Sequence, residues 1–311
     1  MTSRTILITG ANGFTGGHAC DRFAEAGWEV IALLSPRSTG IAPRGSTHAV
    51  SCDLTDADAV LRLLKRLEPA AILHLAGRNS VDYSWREPAS TLSGNLLSTV
   101  NLLEGSRVIG SSRLLVVGTL LRSSTGELSD AAHPYGFSKT LQVEAAKAWH
   151  RWYGISAMIA EPSNLIGPGG NAGLCGKIAR WAVAAEESGG DLQPFKLSSL
   201  EESRDFLDVR DAVAGYEIVL NEGKPGETYA LESGTFRTLG DVRKTFDEAS
   251  LTALPWLVGN APQPASPPSR DTSAIRALGW KPVRSFRESI EDALEDERAR
   301  RLRERGGSAF D

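Results

Sequence analysis

The chain has little cysteine, and its spacing suggests no pairing. Cys20, Cys52 and Cys175 lie far apart in 311 residues. With no CxxC pair and no zinc spacing, free thiols in a reducing, cytoplasmic setting are expected. No two of the five histidines stand three or four residues apart, so no metal site is expected. No apolar run approaches the roughly 18–20 residues of a membrane span. Met1-Thr2-Ser3-Arg4 leads straight into a strand-like run that Gly10 interrupts, unlike a signal peptide. A basic excess is missing too: 34 Lys+Arg face 38 Asp+Glu, for a formal charge of −4. A dedicated nucleic-acid binder would show the opposite balance, so neither nucleic acid nor membrane is expected as a partner. At 41% hydrophobic and 23% charged, the composition excludes disorder. Length suggests about two domains.

What is present is an alternation of strand and helix patterns. Thr5-Ile6-Leu7-Ile8-Thr9 reads as a buried strand. Further strands are expected at Glu29 to Leu34, Thr47 to Val50, Ala70 to Leu75, Leu114 to Val117 and Ile155 to Ala160. Helical spacing covers Gly16 to Ala26, Asp56 to Leu67, Pro88 to Val108 and Tyr135 to Tyr153. This alternation predicts an α/β fold, a Rossmann-type doubly wound parallel sheet with ligands at the carboxyl ends of its strands. After Gly167 the pattern turns irregular. Helices are expected at Lys177 to Glu187, Val209 to Asn221 and Ser285 to Arg305, and a strand at Glu227 to Leu231. Pro262 to Pro268 reads as a loop. The charged run Glu291 to Arg305 reads as a solvated face, with a partner surface as the other reading. The expected division is a dinucleotide-binding domain, 1–163 with 204–232 returning to it, and a smaller, mixed substrate domain, 164–203 and 233–311.

Thr9-Gly10-Ala11-Asn12-Gly13-Phe14-Thr15-Gly16 joins the first strand to the first helix. Gly10 permits a tight turn, Gly13 a close approach to a pyrophosphate, and Gly16 close packing of helix on sheet. The free N–H groups of the helix start suit phosphates. An NAD site usually carries a carboxylate at the end of the second strand. Here that strand runs into Leu34-Ser35-Pro36-Arg37-Ser38, with a cation and two hydroxyls instead. NADP(H) is therefore favoured over NAD(H), with Arg37 as partner of the 2′-phosphate; a solvated loop residue is the alternative. Asp53-Leu54 is placed to meet the adenine, unless Asp53 is a helix N-cap.

Tyr135-Gly136-Phe137-Ser138-Lys139 puts a phenol and an ammonium on one helical face. A free tyrosine, with a pKa near 10, is a poor acid or base at neutral pH. A neighbouring ammonium is expected to lower it by up to about three units. Thr119, after the fifth strand, is the nearby hydroxyl donor; strand-end capping is its alternative. Ser123 and Ser124 are weaker substitutes. His133 could touch the pocket or simply precede Pro134. Cys175 is read as packing.

Together with Asn164-Leu165-Ile166-Gly167-Pro168, Arg204 to Asp211 and Leu278-Gly279-Trp280-Lys281-Pro282, these motifs resemble the extended short-chain dehydrogenase/reductases of the NAD-dependent epimerase/dehydratase family. The likeness runs from Thr5 to about Pro282. Within the family it is strongest to the GDP-6-deoxy-D-mannose reductases, through Ser80-Val81-Asp82-Tyr83-Ser84-Trp85, Asn95 and the Arg204 segment. The resemblance implies hydride transfer from NADPH to C4 of a nucleotide-activated 4-keto-6-deoxy sugar, with GDP-4-keto-6-deoxy-D-mannose as the substrate. Tyr135 would protonate the C4 oxygen, Lys139 hold the nicotinamide ribose and Thr119 orient the keto oxygen. Asn12, Phe14, Leu75, Ala76, Gly77 and Pro162 join the cofactor residues. Ser80 and Asn164 would line the sugar pocket, and Arg204 bind the diphosphate, unless it pairs with Asp205 or Asp208. A homodimer through helices 88–108 and 135–153 is implied.

The chain departs from the family pattern in places. Only 16 positions separate Thr119 from Tyr135, fewer than usual. Leu121 stands where a 4,6-dehydratase needs an acid, which argues against dehydration. Asn260-Ala261-Pro262-Gln263 lacks a second diphosphate-binding arginine, for which Arg270 is a shifted candidate. A 4-epimerase with tightly bound NAD is the alternative function, and a dinucleotide-sensing binding protein without turnover is the third.

Overall fold

The computed structural model describes residues 4–38, 41–110, 112–120, 131–189, 191–261 and 269–307. Leu121, Arg122, Ser123, Ser124 and the proline-rich run 262–268 lie outside the described residues. The chain divides into two compact units. The first is Met1–Pro162, Val213–Leu231 and Thr272–Lys281; the second is Ser163–Ala212, Glu232–Asp271 and Pro282–Asp311.

The first unit holds strands β1 (Thr5–Thr9), β2 (Glu29–Leu34), β3 (His48–Ser51), β4 (Ala71–His74), β5 (Arg113–Val117), β6 (Ala157–Pro162) and β10 (Thr228–Leu231). They form one seven-stranded sheet in the order β10-β6-β5-β4-β1-β2-β3, parallel at every pairing. Helices α1 (Phe14–Glu25), α2 (Ala57–Leu67), α5 (Ser98–Ile109) and α6 (Pro134–Tyr153) provide the crossovers. The strand order reverses between β1 and β4, where ligands bind in this architecture. Ile6, Leu7, Ile8, Ile72 and Leu73 are wholly buried. Such unbroken apolar runs mark strands covered on both faces.

The expected helix 88–108 is present as one continuous helical stretch, with a π-helical turn inside it. Two short helices, α3 (Val81–Arg86) and α4 (Pro88–Leu92), precede a π-helical turn at Ser93–Leu97 and then α5. Ser80 caps α3 by accepting from the Tyr83 N–H, and Pro88 starts α4. Within the π turn, Ser98 Oγ donates to the carbonyls of Gly94 and Asn95, and Thr99 Oγ1 donates to Asn95 O. Hydroxyls that back-bond in this way compete with the helical ladder.

The second unit carries β7 (Asn164–Ile166), β9 (Ser203–Asp208) and β11 (Phe236–Thr238) in a three-stranded sheet ordered β11-β9-β7. A second pair joins β8 (Phe195–Leu197) to β12 (Trp256–Val258). Its core packs α7 (Leu174–Glu187), α9 (Leu239–Ala249) and α11 (Phe286–Gly307) through Ile178, Val183, Phe246 and Ile290. Helices α8 (Val209–Glu222) and α10 (Ser273–Ala277) complete the chain. Residues 204–212 therefore fall in the second unit rather than the first, because β9 is hydrogen-bonded to β7 and β11. Residues 272–281 fall in the first, where Trp280 packs at Gly215 of α8 so closely that a Cβ there would lie 3.0 Å from its Nε1. Among the described residues no helix is long and apolar enough to cross a membrane.

Candidate active site

The β1–α1 turn is built by close approach. Gly10 has φ +66°, and a Cβ on it would lie 2.8 Å from Ala76 N. A Cβ on Gly16 would lie 2.2 Å from Gly10 O. Only glycine lets the turn sit against the end of β4 while the helix closes on it. Gly13 is the N-cap of α1 and makes no side-chain cap bond, and Phe14 is the first helical residue. Asn12 Nδ2 donates to Ser38 Oγ at 2.9 Å, tying the turn to the segment after β2.

A cavity of about 500 Å³ opens beside this turn, at the carboxyl ends of β1, β2, β3 and β4. Six expected cofactor residues line it: Gly10, Arg37, Asp53, Leu54, Ala76 and Gly77. Asn12, Gly13, Phe14, Gly16, Leu75 and Pro162 are outside its lining. Leu75 donates its N–H to Thr9 Oγ1, and Pro162 O accepts from Leu120 N. Asp53 does not cap α2; Asp56 does, by accepting from Ala59 N. Instead, hydrogen bonds from Thr55 hold the Asp53 carboxyl below its usual range, and Arg37 adds to this. The cavity's shape, the glycine turn and the absence of a carboxylate at the end of β2 fit a dinucleotide with its pyrophosphate at the turn.

Tyr135 and Lys139 both lie near the start of α6 and are buried. His133 caps this helix: its Nδ1 accepts from Gly136 N at 2.8 Å, and its ring stacks on Tyr135. Lys139 Nζ donates to Val117 O at 3.0 Å. Burial pushes its ammonium down to about 8. Burial pushes the Tyr135 phenol up to about 12, while a hydrogen bond with Thr119 pulls the other way. The expected lowering of the phenol by Lys139 is thus overturned. Removing the tyrosinate from water costs more than its neighbours return. The three side chains can nonetheless hold a carbonyl oxygen and deliver a proton to it.

A family model, the NAD dependent epimerase/dehydratase family, matches residues 6–231. The chain belongs to that family. It is therefore an enzyme of the extended short-chain dehydrogenase/reductase type. It is 28% identical to a GDP-6-deoxy-D-mannose reductase of Pseudomonas aeruginosa, over 95% of this chain and 97% of the relative. It is 26% identical to a UDP-glucose 4-epimerase of Mycolicibacterium smegmatis, over 93% and 97%. Among solved structures, RMD from Pseudomonas aeruginosa complexed with NADPH superposes with a TM-score of 0.78 at 26% identity, covering 96% and 98%.

In the second unit of this family enzyme, Asn164 Nδ2 donates to Asp205 O at 2.9 Å. Arg204 pairs neither with Asp205 nor with Asp208, as its sequence neighbours suggested. Its Nε donates to Oε1 of Glu202, the residue just before β9, at 2.7 Å. Asp205 instead accepts from Ser233 N, Ser233 Oγ and Gly234 N. Asp208 is held by Arg210 and Ser289. Arg270 donates its N–H to Glu232.

Two residues at the cavity had no role assigned from the sequence: Arg78 was not singled out, and Asn95 entered only through the family likeness. Arg78 lines the cavity, and Asn95 braces Arg78 from behind. The rule that ligands sit at strand ends would have found Arg78, which follows β4 by four positions. No local pattern gives Asn95 its bracing role, since its side chain reaches across to Ser138 Oγ at 2.8 Å.

Proposed function

We propose that the enzyme is an NADPH-dependent reductase of a nucleotide-activated 4-keto-6-deoxy sugar, with GDP-4-keto-6-deoxy-D-mannose as substrate. The observation that carries this reading is the placement of Thr119, Tyr135 and Lys139 around the start of α6. There a phenol hydrogen-bonded to Thr119 stands one helical turn before a buried ammonium, the donor set that a carbonyl oxygen needs on accepting a hydride at its carbon. The Pseudomonas relatives, a GDP-6-deoxy-D-mannose reductase and RMD with NADPH, support the same assignment.

NADPH, when bound, supplies the hydride to C4 of the sugar. Gly10, Gly13 and Gly16 admit its pyrophosphate, and Arg37 meets its 2′-phosphate. Asp53 and Leu54 flank its adenine, with Asn12, Phe14, Leu75, Ala76, Gly77 and Pro162 as further contacts. Thr119 orients the C4 oxygen, and Tyr135 passes its phenolic proton to that oxygen. Lys139 holds the nicotinamide ribose and steadies the tyrosinate left behind. Ser80 and Asn164 are assigned to the sugar, and Arg204 to the diphosphate, where its planar guanidinium can bind bidentately. We assign the catalytic chain to a homodimer through the helical faces that carry the exposed Leu97, Val108, Trp152 and Tyr153.

The test is NADPH and NADH consumption with GDP-4-keto-6-deoxy-D-mannose and its dTDP, UDP and CDP counterparts. Turnover with the GDP sugar and NADPH is expected; no turnover with any of them would sink the assignment. The second reading is a 4-epimerase, favoured by the likeness to the Mycolicibacterium UDP-glucose 4-epimerase. Purified protein carrying non-exchanging NAD would support it instead.

A further inference from the structure

The dinucleotide cavity contains a second arginine besides Arg37. Arg78 lies on the wall beyond β4, half-buried, with its guanidinium 5.0 Å over the Tyr83 ring. Its backbone is clamped from both sides: Arg78 N donates to Asn95 Oδ1 at 2.6 Å, and Asn95 Nδ2 donates to Arg78 O at 3.3 Å. Its side chain runs across Gly94, where a Cβ would come within 3.3 Å of Arg78 Cγ. The arginine is therefore positioned from its backbone to its head.

Among the described residues no carboxylate pairs with it, although many arginines of this chain sit in ion pairs. A half-buried guanidinium without an anion is costly, and a ring face offsets only part of that cost. Arg37, by contrast, is exposed and can be solvated. The charge arrangement on the Arg78 wall calls for an anion.

The sheet order says which anion. Arg78 follows β4 and Arg37 follows β2, with β1 between those strands. At about 4.8 Å per strand, their starting points are roughly 10 Å apart. The Gly10 turn after β1 lies against Leu75 and Ala76, the residues that lead into Arg78.

We propose that Arg78 is a binding residue for the dinucleotide's pyrophosphate, acting from the open side of the cavity, while Arg37 serves the 2′-phosphate. This rests on the cofactor reading above but not on the substrate. The division of labour has a direct consequence: Arg78 does not discriminate NADPH from NADH, and Arg37 does.

Equilibrium binding tests it without turnover. NADPH and NADH are titrated by their fluorescence, and ADP-ribose and 2′-AMP are used as competitors. Arg78→Met should weaken NADPH, NADH and ADP-ribose alike, by about 10- to 100-fold, and leave 2′-AMP unchanged. Arg37→Met should weaken NADPH and 2′-AMP only. Arg78→Lys, which keeps the charge, should recover part of the loss. Arg78→Met that lowers thermal stability yet leaves all four affinities intact would reduce Arg78 to a brace on Tyr83 and overturn the proposal. A loss confined to NADPH and 2′-AMP would overturn it as well. Wild-type protein that binds neither dinucleotide would overturn the cofactor reading, and this inference with it.

Discussion

Thr9 Oγ1 and His74 Nδ1 lie 2.8 Å apart, and their neighbours set the direction of that bond. Thr9 Oγ1 already accepts the N–H groups of Leu75 and Ala76, so its own proton goes to His74 Nδ1. His74 must then carry its proton on Nε2, which faces Thr99 Oγ1 at 3.0 Å. Thr99 Oγ1 in turn donates to Asn95 O. A buried chain thus runs from the cavity wall at Ala76 to the π turn, with His74 neutral at its centre.

This chain makes the fold acid-sensitive. Burial, with the Lys139 charge adding to it, pushes His74 from the usual 6.5 down to about 3. Below about pH 6.5 the unfolded chain takes up a proton that the folded chain refuses. The stability tied to neutral His74 is present above that pH and drains away as the pH falls toward 3, by ~1.4 kcal/mol per unit at most. Urea unfolding between about pH 6.5 and 5 should show this slope in the wild type and a flatter one in His74→Leu. Equal slopes would assign the effect to carboxylates instead.

Lys139 predicts the alkaline behaviour. Its ammonium, pushed down to about 8, loses its charge as the pH rises through that value. The tyrosinate formed at Tyr135 then loses its neighbouring cation. The pH profile of kcat/KM should fall above about 8 in the wild type. In Lys139→Arg the charge persists, so whatever activity remains should lack that limb. A limb unmoved by the substitution would point to another group.

Tyr135→Phe should keep dinucleotide affinity and lose kcat by about 10²- to 10⁴-fold, the usual worth of a positioned proton donor. Reduction at the wild-type rate would remove Tyr135 from the chemistry.

Two adjacent glycines of α1 should respond in opposite ways. Gly16→Ala forces a Cβ to 2.2 Å from Gly10 O, so a loss of about 1–3 kcal/mol and weakened NADPH binding are expected. A Cβ on Gly17 meets nothing within 4 Å, so Gly17→Ala should be neutral or gain up to ~1 kcal/mol of helix propensity. Thermal melts with and without NADPH would separate the two.

The assembly can be read from solution mass. Light scattering should give twice the 33.3 kDa chain for the wild type. Trp152→Glu combined with Tyr153→Glu, on the exposed end of α6, should shift it to the monomer. A wild-type monomer would remove the dimer from the proposal.

Much of the first unit was legible because its signals are local. The apolar run Thr5 to Thr9, the glycine turn and the Tyr135/Lys139 spacing each lie within a few residues, and the strands fell close to the expected places. The π turn inside helix 88–108 was not legible. Asn95 within it bonds Ser138 and Arg78 across the fold, and its own neighbours have ordinary helical spacing. α9 was missed in a stretch read as irregular, although Thr238 and Asp241 form a reciprocal capping box at its start.

Sequence by itself determined the parallel α/β architecture, the family and the chemical types gathered at the site. Short-range periodicity and turn chemistry suffice for these. Tertiary structure alone decided burial and partners: that burial raises the Tyr135 phenol, that Arg204 takes Glu202, and that Arg78 faces the cavity. Desolvation and pairing depend on which distant segments close over a group, and no local pattern encodes that.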